Sequence, residues 1–135
     1  MTTGQQVFDM AIHLMDEQNE SSGATQTADT KEYQLRSVNL INVLRHECFP
    51  HSDTFHGAEN GKRGICTAIT SLDDALDLDD AVAQGALPYG LASRLLLGEN
   101  DMLADFFEQK FQEMLQKLGK SCPAQFESIP LYYGF

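Results

Sequence analysis

A chain of 135 residues with 42% hydrophobic side chains makes one domain, long enough to bury about two-thirds of its unfolded surface. Its formal net charge of −11 sets the overall field against phosphate, which excludes specific nucleic-acid binding without a local basic patch. No apolar run reaches membrane-spanning length and no basic-then-apolar leader follows Met1. Three cysteines without CxxC spacing (Cys48, Cys66 and Cys122) speak for a reducing compartment over a disulfide framework.

In chain order, Thr3-Gly4-Gln5-Gln6 has capping-box spacing, with Thr3 at the N-cap and Gln6 at N3. Val7, Phe8, Ala11, Ile12, Leu14 and Met15 then form a broad apolar face, so a first helix is expected to run to about Gln18. Residues 19–28 are small and polar, a surface loop. Asp29-x-x-Glu32 opens a second helix whose buried side is Tyr33, Leu40, Ile41, Leu44 and Cys48, widened by Leu35 and Val38, and Pro50 ends it. Residues 50–65 show no period and several breakers. Residues 65–70 are β-prone but have no evident partner strand, so a hairpin or a pairing between subunits is what would complete them. A helical turn is expected within 71–80, then an N-cap at Asp79.

The clearest pattern is residues 79–119, two helices joined by a Gly-Glu-Asn turn. Gly85, Pro88 and Gly90 lie inside the first of the pair. They imply either a bend at 84–88 or a short helix followed by a longer one with Pro88 in its first turn. In the second, Leu103, Phe107, Phe111, Met114 and Leu118 make one stripe, Asn100 is the expected N-cap and Gly119 the expected left-handed stop. A turn this short makes the two helices antiparallel partners. The expected fold is mainly α: four to five helices in an antiparallel bundle around this C-terminal hairpin, a single domain over 1–135. It carries a long irregular loop at 50–70, with or without a short strand or hairpin, and an extended aromatic tail at 120–135. In that tail Phe126, Ile129, Leu131, Tyr132, Tyr133 and Phe135 are too apolar for a segment left in water, and either dock across the helices or meet a partner chain.

Few constellations suggest chemistry. His46, Cys48, His51, His56 and Cys66 gather five of the seven His and Cys residues, ligand types that zinc prefers. Their spacing matches no ligand pattern, and a helix end followed by a polar loop accounts for them equally well. The acids Asp73, Asp74, Asp77, Asp79 and Asp80 fail the EF-hand template, because Ala81 and Val82 fall on the third-ligand and glycine positions. Gly61-Lys62-Arg63-Gly64 lacks the phosphate-loop frame, leaving Lys62 and Arg63 as loop bases available to an acidic partner. Ser93 has no GxSxG elbow, and nothing orients Cys48 as a nucleophile. No enzyme, cofactor or metal is expected on these grounds.

Leu87-Pro88-Tyr89-Gly90-Leu91-Ala92, Leu95-Leu96-Leu97, Phe106-Phe107, Phe111 and Met114-Leu115 together resemble the C-terminal hairpin of small helical structural proteins from tailed phages and prophages, of the head–tail connector (adaptor) type. The likeness covers residues 87–119; the long 50–70 segment and the aromatic tail depart from it. The resemblance implies a non-enzymatic subunit that forms a ring on the portal and contacts copies of itself, the portal and tail proteins. It implies a place in the bacterial host cytoplasm during assembly and then in the virion. It also gives the acids a use. Residues 71–108 hold nine acids and the single base Arg94, a composition suited to a lumen that DNA passes without sticking. In that arrangement the 50–70 loop and the tail reach neighbours. Two other readings stand beside it: a monomeric tail-assembly or completion factor or a general helical interaction protein, and a small metal-dependent protein using the 46–66 cluster.

Overall fold

The computed structural model describes residues 1–17, 20–52 and 67–121. They form five α-helices, α1 (Gly4–Leu14), α2 (Lys31–Cys48), α3 (Asp80–Gly85), α4 (Leu87–Leu96) and α5 (Asp101–Ser121), with a 3₁₀ turn at Phe49–His51. The fold is mainly α, as expected. Among the described residues there is no strand; residues 67–70 are irregular, and the rest of the expected 50–70 loop, 53–66, lies outside the described residues.

α4 is the centre. It packs against all four other α-helices, and eight of its ten residues are buried, leaving only Tyr89 and Arg94 partly exposed. A helix apolar on every side has to be enclosed. Of the two arrangements open at 84–88, the chain takes the second: α3 ends at Gly85, and α4 carries Pro88 in its first turn, where the missing N–H costs nothing. Gly90 sets how closely the neighbours approach. A Cβ placed there would lie 3.0 Å from two ring carbons of Phe111 and 3.2 Å from a methyl of Leu44, so α2 and α5 both press on the α4 backbone. Ser93 adds a buried hydrogen bond from its hydroxyl to the Ala104 carbonyl, 2.8 Å.

The helix starts follow the local sequence. Thr3 and Gln6 make a complete capping box, Asp79 accepts from the Val82 N–H and Asn100 from the Leu103 N–H. Helix ends and faces differ more. α1 stops at Leu14, short of Gln18, because Asp16 turns left-handed (φ 59°). There the Asp16 and Glu17 N–H groups close back on the carbonyls of His13 and Ile12, a Schellman end with Asp in place of Gly. α2 starts at Lys31, and its N-cap Thr30 is buried, its hydroxyl donating to the Thr25 carbonyl at 2.6 Å. Leu35 does not widen the buried side; it is 71% exposed. α5 runs through Gly119 to Ser121, since a helix already propagating adds each residue for one more hydrogen bond. Its stripe centres on Ala104, Phe107, Phe111 and Leu115, with Leu103, Met114 and Leu118 partly buried at its margins.

Residues 67–79 form a strap across α1 and α2, and the turn expected within 71–80 is a single one, closed by the Asp74 N–H donating to the Ser71 carbonyl at 3.1 Å. The Asn42 amide pairs with both backbone groups of Ile69, at 2.9 and 2.8 Å. Leu72, Leu76 and Leu78 are buried, and the N-terminal residues bridge to the strap through Thr3 and Ala75. The strap runs past Arg45, which is 2% exposed and donates through Nε to the Leu76 carbonyl. Asp74 accepts the N–H groups of Thr70 and Ser71 and the Thr70 hydroxyl, and these backbone bonds above all hold its carboxyl below the ordinary carboxylate range. A group lowered in the folded state contributes stability above its unfolded pKa and loses it as pH falls through the folded value. Asp74→Ala is therefore expected to lower the urea midpoint near neutral pH. Its difference from the unmodified protein should shrink toward the acid limit of folding; a difference unchanged with pH would assign the loss to something other than the carboxylate.

Candidate functional site

The residues singled out by sequence divide sharply. Lys62, Arg63 and the apolar tail residues Phe126, Ile129, Leu131, Tyr132, Tyr133 and Phe135 lie outside the described residues, as do His56 and Cys66. The three remaining members of the His/Cys cluster do not converge. Cys48 is buried in the core, whereas His46 and His51 are exposed. His46 and Cys48 stand two positions apart on α2, which directs them to opposite sides of the helix. His46 Nδ1 is 2.7 Å from the Asn42 carbonyl one turn back. Among the described residues no three His, Cys, Asp or Glu side chains come together as a metal site.

The expected acidic surface is substantially a set of local hydrogen-bond acceptors. Asp74 and Asp79 cap turns, Asp80 accepts the Thr2 hydroxyl at 2.7 Å, Asp101 accepts the Gly98 N–H at 2.9 Å and Glu108 pairs with Arg94 at 2.7 Å. Asp73, Asp77, Asp80, Glu99, Asp101 and Asp105 remain exposed, so the field outside is still negative.

What sequence reading missed is a rigid apolar tip on the hairpin. Leu97 is 63% exposed, Met102 86% and Phe106 49%. Met102 and Phe106 are one turn apart and lie on one face of α5, beside the buried Ala104–Phe107–Phe111–Leu115 row. The tip is held firmly. Gly98 takes the left-handed conformation that the turn requires (φ 92°), and Asn100 and Asp101 close it from either side. The Tyr33 hydroxyl donates to Glu99. Burial first, then that bond and the Glu99 charge, push the Tyr33 phenol well above its ordinary value, so it stays protonated as donor. The Phe106 ring lies tilted against Phe107 with centroids 5.7 Å apart, Phe107 meets Tyr89 at 6.2 Å, and Lys110 Nζ lies 6.0 Å over the Phe106 ring. The signal in the sequence was an apolar pair at i, i+4 outside the main stripe.

The second surface feature is an open groove of about 580 Å³ between the start of α2, Gln5 of α1, Gln26 and the strap residues 70–73. Leu35, Val38 and Leu72 give it an apolar lining; Gln5, Gln26, Gln34, Lys31 and Asp73 supply polar groups. Its hydroxyls are used locally: Thr70 donates to Asp74, and Ser71 accepts the Asp73 N–H. A groove of amides and aliphatic side chains with one base and one acid suits polypeptide groups, in size within the range of ligand sites.

No helix among the described residues is long and apolar enough to cross a membrane. No family model, no curated protein and no solved structure matches this chain.

Proposed function

We propose that this chain is a non-enzymatic structural subunit of a tailed phage or prophage, a head–tail connector (adaptor) that assembles into a ring on the portal. The observation that carries the reading is the α4–α5 hairpin. The residues that resemble connector proteins, Leu87 to Ala92, Leu95 to Leu97 and Phe106 to Leu115, build the central helix and its main partner. The same hairpin ends in an apolar tip that the core leaves uncovered. Exposed apolar side chains grouped on one surface are consistent with contact to another protein. The exposed acids and a net charge of −11 suit a subunit beside a DNA conduit, which must repel phosphate and not hold it. On this reading the subunit works in the bacterial cytoplasm during assembly and then in the virion.

Co-expression with the portal and tail proteins of the same genome tests this. The expected result is co-purification with the portal, and a ring of density beneath it in electron micrographs of particles. Particles complete without this chain, and no capture by portal or tail proteins, would reject the reading. Capture by the tail alone would replace it with a tail-completion role.

A further inference from the structure

We propose that residues 67–79 are a detachable strap, which opens from the helical body while the helices stay closed, and that the buried charge of Arg45 sets how readily it opens. This device stands apart from the connector reading and does not rest on it.

The first argument is how the strap is tied. Among the described residues, its hydrogen bonds to the body lie outside the helical ladders. The Asn42 side chain holds both backbone groups of Ile69, and Arg45 Nε holds the Leu76 carbonyl. The N–H groups of Gly4 and Gln5 donate to the Asp74 and Leu72 carbonyls at 3.2 and 2.7 Å, and the Leu76 N–H donates to the Thr2 carbonyl at 3.0 Å. Gly4 and Gln5 open α1, and the first N–H groups of a helix have no partner within it. Asp79, at the far end of the strap, stays with α3 as its N-cap. Releasing the strap therefore costs none of these helices a bond of its own ladder.

The second argument is what the strap buries. Ile69, Leu72, Leu76 and Leu78 are buried, whereas Thr70, Ser71, Asp73, Ala75 and Asp77 between them are exposed. Four apolar side chains must offset the ordering of the whole segment, which leaves it closer to balance than a helix enclosed on every side such as α4.

The third argument is Arg45. The guanidinium is buried, its Nη1 has no hydrogen-bond partner and it makes no ion pair among the described residues. Enclosing a charge on one bond forfeits hydration that the open form restores. Asp77 acts in the same direction, since its left-handed backbone (φ 55°) is one that residues other than Gly rarely adopt. Opening uncovers the row from Ile69 to Leu78 and the sides of α1 and α2 beneath it. The subunit thus holds an apolar face that it can present without unfolding.

Hydrogen exchange of the full chain in rising, sub-denaturing urea, read residue by residue by nuclear magnetic resonance, tests this. The N–H groups of Gly4, Gln5, Ile69 and Leu76 report on the strap, because each is bonded across its boundary. The buried turns of α4 report on global unfolding. The four reporters are expected to share one protection factor, at least about tenfold below that of α4, with a shallower dependence on urea. Protection and urea slope equal to those of α4 would make the strap part of the global unit and overturn the proposal. Four unrelated protection factors, the mark of single bonds fraying, would overturn it as well. Arg45→Met and Arg45→Gln both remove the charge, and Gln keeps a donor for Leu76. Each is expected to raise the protection of the four reporters several-fold, the excess of charge burial over the altered bond. Reporters unchanged in both variants, or a rise confined to α4, would show that opening does not release Arg45 and overturn the proposal.

Discussion

Phe111→Ala is expected to lower the unfolding free energy by about 3–5 kcal/mol, the usual loss for a buried aromatic truncated in a close-packed core. Its ring is fully buried and lies under the α4 backbone where α2, α4 and α5 meet. The void left cannot collapse easily, because Leu44 and Leu115 are fixed by their own helices. Gly90→Val approaches the same point from the other side. Its Cβ starts 3.0 Å from the Phe111 ring, closer than side chains normally come, so a stability loss of about 1–3 kcal/mol from overpacking is expected. Gly90→Ala is milder, since the gain in helix propensity, about 1 kcal/mol, offsets part of the clash. The two positions share one space, so they should not be additive. Gly90→Ala combined with Phe111→Leu is expected to cost less than the sum of the single changes. Urea denaturation followed by far-ultraviolet circular dichroism measures all five, Phe111→Leu alone included; strict additivity would show that the ring and the glycine do not share that space.

Arg45 carries the second large effect, with opposite outcomes for two truncations. Its guanidinium is buried at 2% exposure, its Nε bonds the Leu76 carbonyl, and Nη1 has no hydrogen-bond partner among the described residues. It makes no ion pair among the described residues. Burying an uncompensated charge costs several kcal/mol even after relaxation. Losing the bond to Leu76 costs about 1–3 kcal/mol for the orphaned carbonyl. The first quantity is the larger, so Arg45→Met, which keeps the bulk of the stem, is expected to hold stability within about 1 kcal/mol or raise it, as seen for other buried charges replaced by apolar side chains of like size. Arg45→Ala leaves a cavity as well, and a loss of about 2–5 kcal/mol is expected. Equal losses in the two variants, read as urea midpoints, would mean that the charge, not the volume, supports the strap.

The legible parts of this fold were those decided within a few residues. Thr3 with Gln6, Asp79, Gly98 and Asn100 act on backbone groups three or four positions away, and each was readable from spacing alone. The split at 84–88 was readable as two alternatives, because Pro88 forbids a regular interior but not a first turn. What failed was decided by distant packing or by a rare backbone choice. Asp16 in the left-handed region shortens α1, and no residue type announces it as Gly does. Leu35 belongs to the apolar pattern of α2, but none of the described residues crosses that part of the helix to cover it. Residues 67–70 have the composition of a strand, yet Asn42 takes both backbone groups of Ile69 and so removes the need for a partner strand. The candidate surface was half legible: Leu97 and Phe106 stood in the pattern that resembles connector proteins, while Met102 gained meaning only from its exposure.

The position of α4 has a further consequence. Because it touches every other α-helix, no helix can leave without stripping part of its cover, and no pair of helices retains a closed interior without it. Stability is therefore not parcelled out among separable helices. The helices are expected to melt together in one all-or-none transition, with no helix lost ahead of the rest.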